Sequence, residues 1–362
     1  MNTQASLPCV LFGASGYTGV ELAKLICGHP KLHLHSLFVS ENSVDAGKPL
    51  SQLYPVVSGL IDQPLMPANT DNIESVLSNL QSYDKTLIFL ATPHEFSHDI
   101  AASLMTEHTQ VFDLSGAFRL KDTSLYTKHY GYLHKNSELT LGAPYGLPEW
   151  NAKALINAPL ISLPGCYPTA AQLALKPLIY AGLLANDAAP VINAVSGVSG
   201  AGRKANLATS FCELSLKPYQ IFCHRHSPEI EQELGRSVIF TPHIANFARG
   251  ILATITVKVK NNTYLSNINH AFDECYHNQP LVRLRKEAPA INDVAHTPFC
   301  DLYWQLYGEH LIIISAIDNL LKGAASQAIQ CANLASGWPQ QLGLLPALQS
   351  ISDEVKGVTN VA

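Results

Sequence analysis

One cysteine stands in a setting that suits a nucleophile. In the run ISLPGCYPTAAQLALKP, from Ile161 to Pro177, the apolar residues 161–163 read as the end of a buried strand, and Pro164 and Gly165 break it. Pro168 suits the first turn of a helix, where no N–H is needed. From Thr169 on, Ala, Gln and Leu dominate, with Leu173 and Pro177 marking a buried face that soon stops. Cys166 therefore falls on a tight turn at or just before a helix N-terminus. The unpaired N–H groups and the dipole there favour a thiolate over a thiol, so a lowered pKa is expected. Downstream, His224 and His226 lie two apart in HRHSPEI, before a Pro-started helix. A histidine can supply and remove protons for such a nucleophile. His243, at the end of a short strand, is a weaker rival.

The elements that must position these groups begin near the N-terminus. Residues 8–12 form a first apolar strand that enters GASGYTG (Gly13, Ser15, Gly16, Tyr17, Thr18, Gly19) and then the amphipathic VELAKLI. Strand, glycine turn and helix in that order let a pyrophosphate approach the backbone and meet the helix N-terminus. A second strand, 32–39, ends at Ser40, Glu41, Asn42 and Ser43, with Lys48 nearby. NAD enzymes commonly carry an acidic residue there. The Ser40 and Ser43 hydroxyls suit a 2′-phosphate better, which favours NADP. Further strands are expected at 86–91, leading to Thr92, Pro93 and His94, and at 111–114, leading to Ser115 through Arg119. Strands alternating with helices over this region predict a doubly wound parallel sheet of the Rossmann type.

After Pro177 the pattern changes. A strand at 191–195 enters a second glycine-rich loop, SGVSGAGRK, whose backbone N–H groups, around Gly197 and Gly200, could with Arg203 or Lys204 wrap a phosphate or a nicotinamide ribose. Strands at 238–242, 251–259 and 311–317 and a helix at 263–277 predict an α+β unit with a mostly antiparallel sheet. The last helix, after Asp318, is expected to return to the first domain. The resulting domains are 1–165 plus 318–337, 166–317, and a tail, 338–362, with little periodicity.

Composition narrows the partners. The chain has 362 residues, 47% hydrophobic and 14% charged, with a net charge of −5 and no long basic run. That argues against nucleic acid or a membrane surface. No apolar run reaches the roughly 18 residues of a spanning helix. The eight cysteines are scattered, without CxxC spacing, so no metal site is expected and reduced thiols in a cytosolic protein are.

A dinucleotide turn, an activated cysteine and downstream histidines need one explanation. Alcohol dehydrogenases need no cysteine nucleophile, and cysteine hydrolases need no dinucleotide. Reduction of an acyl phosphate needs both, through a thioester that accepts a hydride. On GASGYTG, DLSGAFR, PGCYPTAAQLALKP, SGVSGAGRKA, HRHSPEI and DNLLKGAA, spanning roughly residues 8–335, the chain resembles the N-acetyl-γ-glutamyl-phosphate reductase family of semialdehyde dehydrogenases. The resemblance implies a two-domain, NADP-dependent homodimer or homotetramer. It would reduce N-acetyl-L-glutamyl 5-phosphate to the 5-semialdehyde in arginine biosynthesis, with release of phosphate. It gives Cys166 the nucleophile role, offers His224 or His226 as acid/base with Glu229 orienting one of them, and places Asn319 and Lys322 near the cofactor. Arg119, Arg203 and Arg249 are candidate partners for the substrate's phosphate and carboxylate, with Gln172 as a further contact. The nearest rivals keep the chemistry and change the acyl group, to aspartyl or a carrier-linked aminoadipyl phosphate. Rivals from other classes are a non-catalytic NADP-binding protein and a cofactor-free cysteine hydrolase.

Overall fold

The computed structural model describes residues 6–345. Six strands form the first sheet: β1 (Leu7–Phe12), β2 (Leu32–Val39), β3 (Met66–Pro67), β4 (Thr86–Leu90), β5 (Thr109–Asp113) and β6 (Leu160–Ser162). Their order is β3-β2-β1-β4-β5-β6 and every pairing is parallel. Both faces are covered, so β1 and β4 are apolar almost throughout rather than alternating, and β5 is buried along most of its length. The order reverses between β1 and β4, and ligands of such sheets bind beyond the carboxyl ends of the strands at that point. The two loops that leave it touch. Gly13 has φ +81°, and a Cβ there would lie 2.1 Å from the Ala91 carbonyl oxygen. A Cβ on Gly19 would lie 2.2 Å from the Gly13 oxygen, so the helix Tyr17–Cys27 starts against the turn only because both positions are glycine.

The second sheet holds β7 (Val191–Gly197), β8 (Lys217–Pro218), β9 (Ile239–Ala245), β10 (Ile251–Lys258), β11 (Val282–Leu284), β12 (Cys300–Tyr307) and β13 (His310–Ile317). Its order is β11-β12-β13-β10-β7-β9-β8. The β12/β13, β13/β10, β10/β7 and β8/β9 pairings are antiparallel; β7/β9 and β11/β12 are parallel. The sheet is thus mixed, with antiparallel pairings in the majority. β10 alternates buried and half-buried residues along its length, presenting one face to the core.

From β6 the chain enters the helix Cys166–Tyr180, which packs on the second sheet. Ala170, Leu173, Ala174 and Leu178 pack into the core beneath β10 and β13. It does not stop at Pro177 but continues one further turn. Pro177 cannot donate to the Leu173 carbonyl, and the Tyr276 hydroxyl takes that bond instead at 2.6 Å. β13 leads into a π-helical turn, Leu321–Ala325, and then the helix Ser326–Ala335, whose Ala328, Ile329 and Ala332 join the core of the first sheet. Beyond it, residues 338–345 are seated rather than loose. Trp338 stacks on His29, and Asn333 donates to the carbonyls of Gln340 and Leu342. The rest of the tail, 346–362, lies outside the described residues.

The Lys322 side chain is turned into the interior. It is fully buried, with Nζ 2.6 Å from both Glu149 Oε1 and Gln330 Oε1. This pair ties the return segment to the helix Pro148–Leu155. Lys322→Met leaves the Glu149 carboxylate buried without its cation and is expected to cost about 3–5 kcal/mol in chemical denaturation. Replacing both residues, as Lys322→Met with Glu149→Leu, should recover most of that loss, because no uncompensated charge remains.

Candidate active site

The turn that presents Cys166 is built by close approach. Gly165 is the N-cap of its helix, in extended conformation. Its N–H donates to Glu229 Oε1 at 2.8 Å. A Cβ on Gly165 would lie 2.5 Å from His226 Nε2, and one on Gly323 would lie 2.8 Å from Cys166 Cβ. Gly323 reaches this position through the π-turn, where Gly323 N–H bonds to the Asp318 carbonyl and Ala325 N–H to that of Leu320, each five residues back. Such single π-turns concentrate at functional sites. Cys166 is therefore held by three elements: the β6-to-helix turn, the histidine loop and the π-turn.

The two histidines are placed differently. His224 Nδ1 accepts the His226 backbone N–H at 3.1 Å, which leaves its proton on Nε2, 3.4 Å from the Tyr219 hydroxyl. Its ring is wedged edge-on against Tyr167 and Phe240. His226 lies against Gly165. Its Nε2 is 3.5 Å from Arg119 Nη1 and its Nδ1 has no protein partner. Glu229 orients neither histidine, contrary to expectation. Its Oε1 accepts from Gly165 N–H and from the Tyr145 hydroxyl (2.7 Å), and Oε2 faces Arg119 Nη1 at 3.4 Å. It pins the cysteine turn instead.

Electrostatics reverse one expectation. Burial pushes the Cys166 thiol above its ordinary value, although the Tyr167 N–H, Arg119 and Arg225 pull it down. The helix N-terminus acts as anticipated, but desolvation outweighs it. Burial, with help from His224, Arg225 and Arg119, pushes His226 well below its ordinary value. Burial and Arg225 lower His224 to about 3. At neutral pH the site therefore rests as a thiol beside two neutral imidazoles.

Two adjoining clefts, of about 340 and 370 Å³, meet at Cys166. Gly16, Tyr17 and Thr18 of the glycine turn wall the first, together with Arg203 and Asn319. Tyr167, Ser196, Gly197, Tyr219 and His224 wall the second. Cys166, His226, Arg225, His94, Gly200 and Ala201 border both.

Other expected residues fall elsewhere. Gly13 and Gly19 shape the turn without reaching the first cleft, and the Ser15 carbonyl accepts from the Tyr54 hydroxyl. Ser40 is exposed at the end of β2, and Ser43 Oγ accepts the Asp45 N–H. Asn319 bridges, accepting from Gly250 N–H at 2.7 Å and donating to Ser199 Oγ at 3.0 Å. Gln172 is fully buried behind the site, where its Nε2 donates to the Tyr145 hydroxyl, so it meets no cleft. Arg119 lines the first cleft but donates to the Leu163 and Leu114 carbonyls. Arg203 is paired with Asp45. Arg249 is paired with Asp318 and Glu21, away from both clefts. His243 sits within β9, its carbonyl accepting from the Tyr167 hydroxyl. Among the described residues no group of His, Cys, Asp or Glu is arranged to hold a metal ion. Sequence reasoning missed His94, Gly323 and Arg225. Only Arg225 carried a local signal, a cation between the two histidines.

Comparisons with known proteins agree with this architecture. A family model described as the NAD binding domain of semialdehyde dehydrogenase matches residues 9–158, and one described as its dimerisation domain matches 166–319. The aspartate semialdehyde dehydrogenase II of Vibrio cholerae, solved with ASA, superposes with a TM-score of 0.67 at 16% identity, covering 92% of this chain and 99% of that one. Aspartate semialdehyde dehydrogenase of Candida albicans, solved with NADP, gives 0.65 at 14% identity, covering 92% and 99%. These likenesses show the fold. An N-acetyl-gamma-glutamyl-phosphate reductase of Vibrio vulnificus (strain YJ016) is 52% identical over 340 residues, 94% of this chain and 100% of the relative. One from Aeromonas salmonicida (strain A449) is 51% identical over 339 residues, again 94% and 100%.

Proposed function

The chain belongs to the N-acetyl-gamma-glutamyl-phosphate reductase family of semialdehyde dehydrogenases, and from that premise we propose how its site works. The reaction is the reduction of N-acetyl-L-glutamyl 5-phosphate to N-acetyl-L-glutamate 5-semialdehyde, a step of arginine biosynthesis that releases phosphate. The observation that carries the mechanism is the position of Cys166 where two clefts meet, one walled by the glycine turn. An acyl carbon can reach Sγ from one side and a hydride donor from the other.

The cofactor is a nicotinamide dinucleotide. The turn fits one: Gly13 and Gly19 have no room for a Cβ, and Gly16 to Thr18 border the cleft at a helix N-terminus. Gly16, Tyr17 and Thr18 would hold the pyrophosphate, with Gly200 and Asn319 toward the nicotinamide. Ser40 and Ser43 at the end of β2 favour NADP over NAD. Bound there, the reduced nicotinamide supplies the hydride that the acyl carbon receives.

The chain's own groups do the rest. Cys166 Sγ attacks the acyl carbon, and His226 takes the thiol proton. The S–C bond forms, the carbon–oxygen bond to phosphate breaks, and the His226 proton leaves with the phosphate. Once the thioester carbon is reduced, the S–C bond breaks, the aldehyde departs, and Cys166 is reprotonated by a proton that His226 takes up from solvent. Glu229, through Gly165 N–H, keeps the nucleophile's turn in place. His224, with its lone pair spent on the backbone, supports the loop. The dimerisation-type second domain suits a homodimer or homotetramer, and scattered free thiols suit the cytoplasm.

The acyl group is tested in the reverse direction with phosphate and NADP. N-Acetylglutamate semialdehyde should be oxidised with kcat/KM at least about 100-fold above aspartate semialdehyde. Faster turnover of aspartate semialdehyde would overturn the assignment, and equal use of NAD would overturn the cofactor preference.

A further inference from the structure

The substrate proposed above carries a phosphate on the carbon that Cys166 attacks, so a cation must stand where the clefts meet. Arg119 has little left to offer. Its Nε donates to Leu163 O at 2.7 Å, Nη2 to Leu114 O at 2.9 Å, and Nη1 faces Glu229 and His226. Four of a guanidinium's five N–H groups are thereby engaged. Arg203 and Arg249 are held by carboxylates. Arg225 differs from all three. It is exposed, it lines both clefts, and among the described residues no hydrogen bond or ion pair joins it to an acceptor. It directly precedes His226, and its charge is among those that draw the Cys166 thiol downward.

We infer that Arg225 is the guanidinium that receives the acyl phosphate, and inorganic phosphate in the reverse direction. This rests on the acyl-phosphate reading above. An unpaired guanidinium offers its planar fork to two phosphate oxygens at once, whereas a paired one must first give up a carboxylate. The phosphate is bonded to the carbon under attack, so it stays at the junction that Cys166 and Arg225 share. The α-carboxylate lies farther along the acyl chain. Arg225 therefore binds the group that leaves, and its charge stabilises the departing phosphate as the carbon–oxygen bond breaks.

The test uses inorganic phosphate as the probe. In the wild type, phosphate should protect Cys166 from iodoacetamide at about pH 8.5. Arg225→Gln should raise the half-protecting concentration about 10–100-fold, the worth of charged hydrogen bonds. Arg225→Lys, which keeps the charge and loses the fork, should fall between. In the reverse reaction, Arg225→Gln should raise the KM for phosphate and leave that for the semialdehyde within about twofold. Absence of protection in the wild type, unchanged protection in the variant, or a raised semialdehyde KM with an unchanged phosphate KM would overturn the inference. The protection assay contains no acyl group. A different preferred semialdehyde would therefore sink the substrate reading and leave this result standing.

Discussion

Cys166→Ser is expected to lower kcat for acyl-phosphate reduction by roughly 10⁴–10⁶-fold, as loss of a covalent nucleophile does elsewhere. A serine hydroxyl would meet a neutral His226 in the same place, but it neither ionises nor leaves as readily as a thiol. Dinucleotide binding should persist, because the glycine turn is separate from the cysteine turn. Cys212→Ser, at an exposed position away from both clefts, is the matching control and should keep full activity. If Cys166→Ser retains hydride transfer, the thioester route is wrong. The same residue gives a second readout. Since burial raises the thiol, iodoacetamide alkylation of the substrate-free protein should titrate above the roughly 8.5 of a free cysteine. A midpoint below that value would mean that the helix N-terminus and the two arginines prevail over desolvation.

His226→Gln is expected to lower kcat by about 10²–10⁴-fold and to change the shape of the pH profile. In the wild type the imidazole is held well below its ordinary value, so it remains an unprotonated base as the pH falls through about 6.5. The thiol holds its proton until a base takes it. Activity should thus stay level from about pH 6 to 8, with the acid limb displaced below the usual imidazole range. Without His226 the thiol must ionise unaided, and the residual rate should climb with pH toward the raised thiol value. A merely structural His226 would lower the rate without tilting the profile. His224→Gln serves as the comparison and should keep the level profile. The stability signs agree. Both histidines are depressed in the folded state, so the unfolded chain binds more protons below about pH 6.5, and the melting temperature should fall as the pH drops from 7 to 5.

Much of the framework was legible because it is written locally. The six-residue β1, the glycine turn and the following helix are one continuous stretch, and each step has its own residue chemistry. The same holds for β6, Gly165 and the cysteine helix. Other features resisted a local reading. β12, CDLYWQLY, shows no clean alternation, because Asp301 sits fully buried in it and is paired with Arg283 and Arg285. Pro177 reads as a stop, but the Leu173 carbonyl that it leaves without a helix donor accepts from the Tyr276 hydroxyl, 103 residues farther along the chain. The second sheet is mostly antiparallel, as expected, but its two parallel pairings, β7/β9 and β11/β12, carry no local signal. A long excursion carries the chain from β7 to β9 as a parallel neighbour.

The cysteine itself shows where the division falls. By itself the sequence determined that Cys166 stands on a Pro-Gly turn at the mouth of a helix, that a dinucleotide-type turn follows the first strand, and that two histidines share one short loop. Turns, caps and helix starts depend on neighbours within a few residues, so they can be read along the chain. Tertiary structure alone decided that the thiol is raised rather than lowered, because its desolvation comes from elements far away in the chain. It likewise decided that Glu229 grips Gly165 and Arg119 across 64 and 110 residues, that Lys322 is spent on Glu149 across 173, and that Arg225, on the cleft wall it shares with the nucleophile, has no carboxylate partner among the described residues. Burial and ion pairing are properties of what the two sheets bring together, and no window along the chain contains both partners.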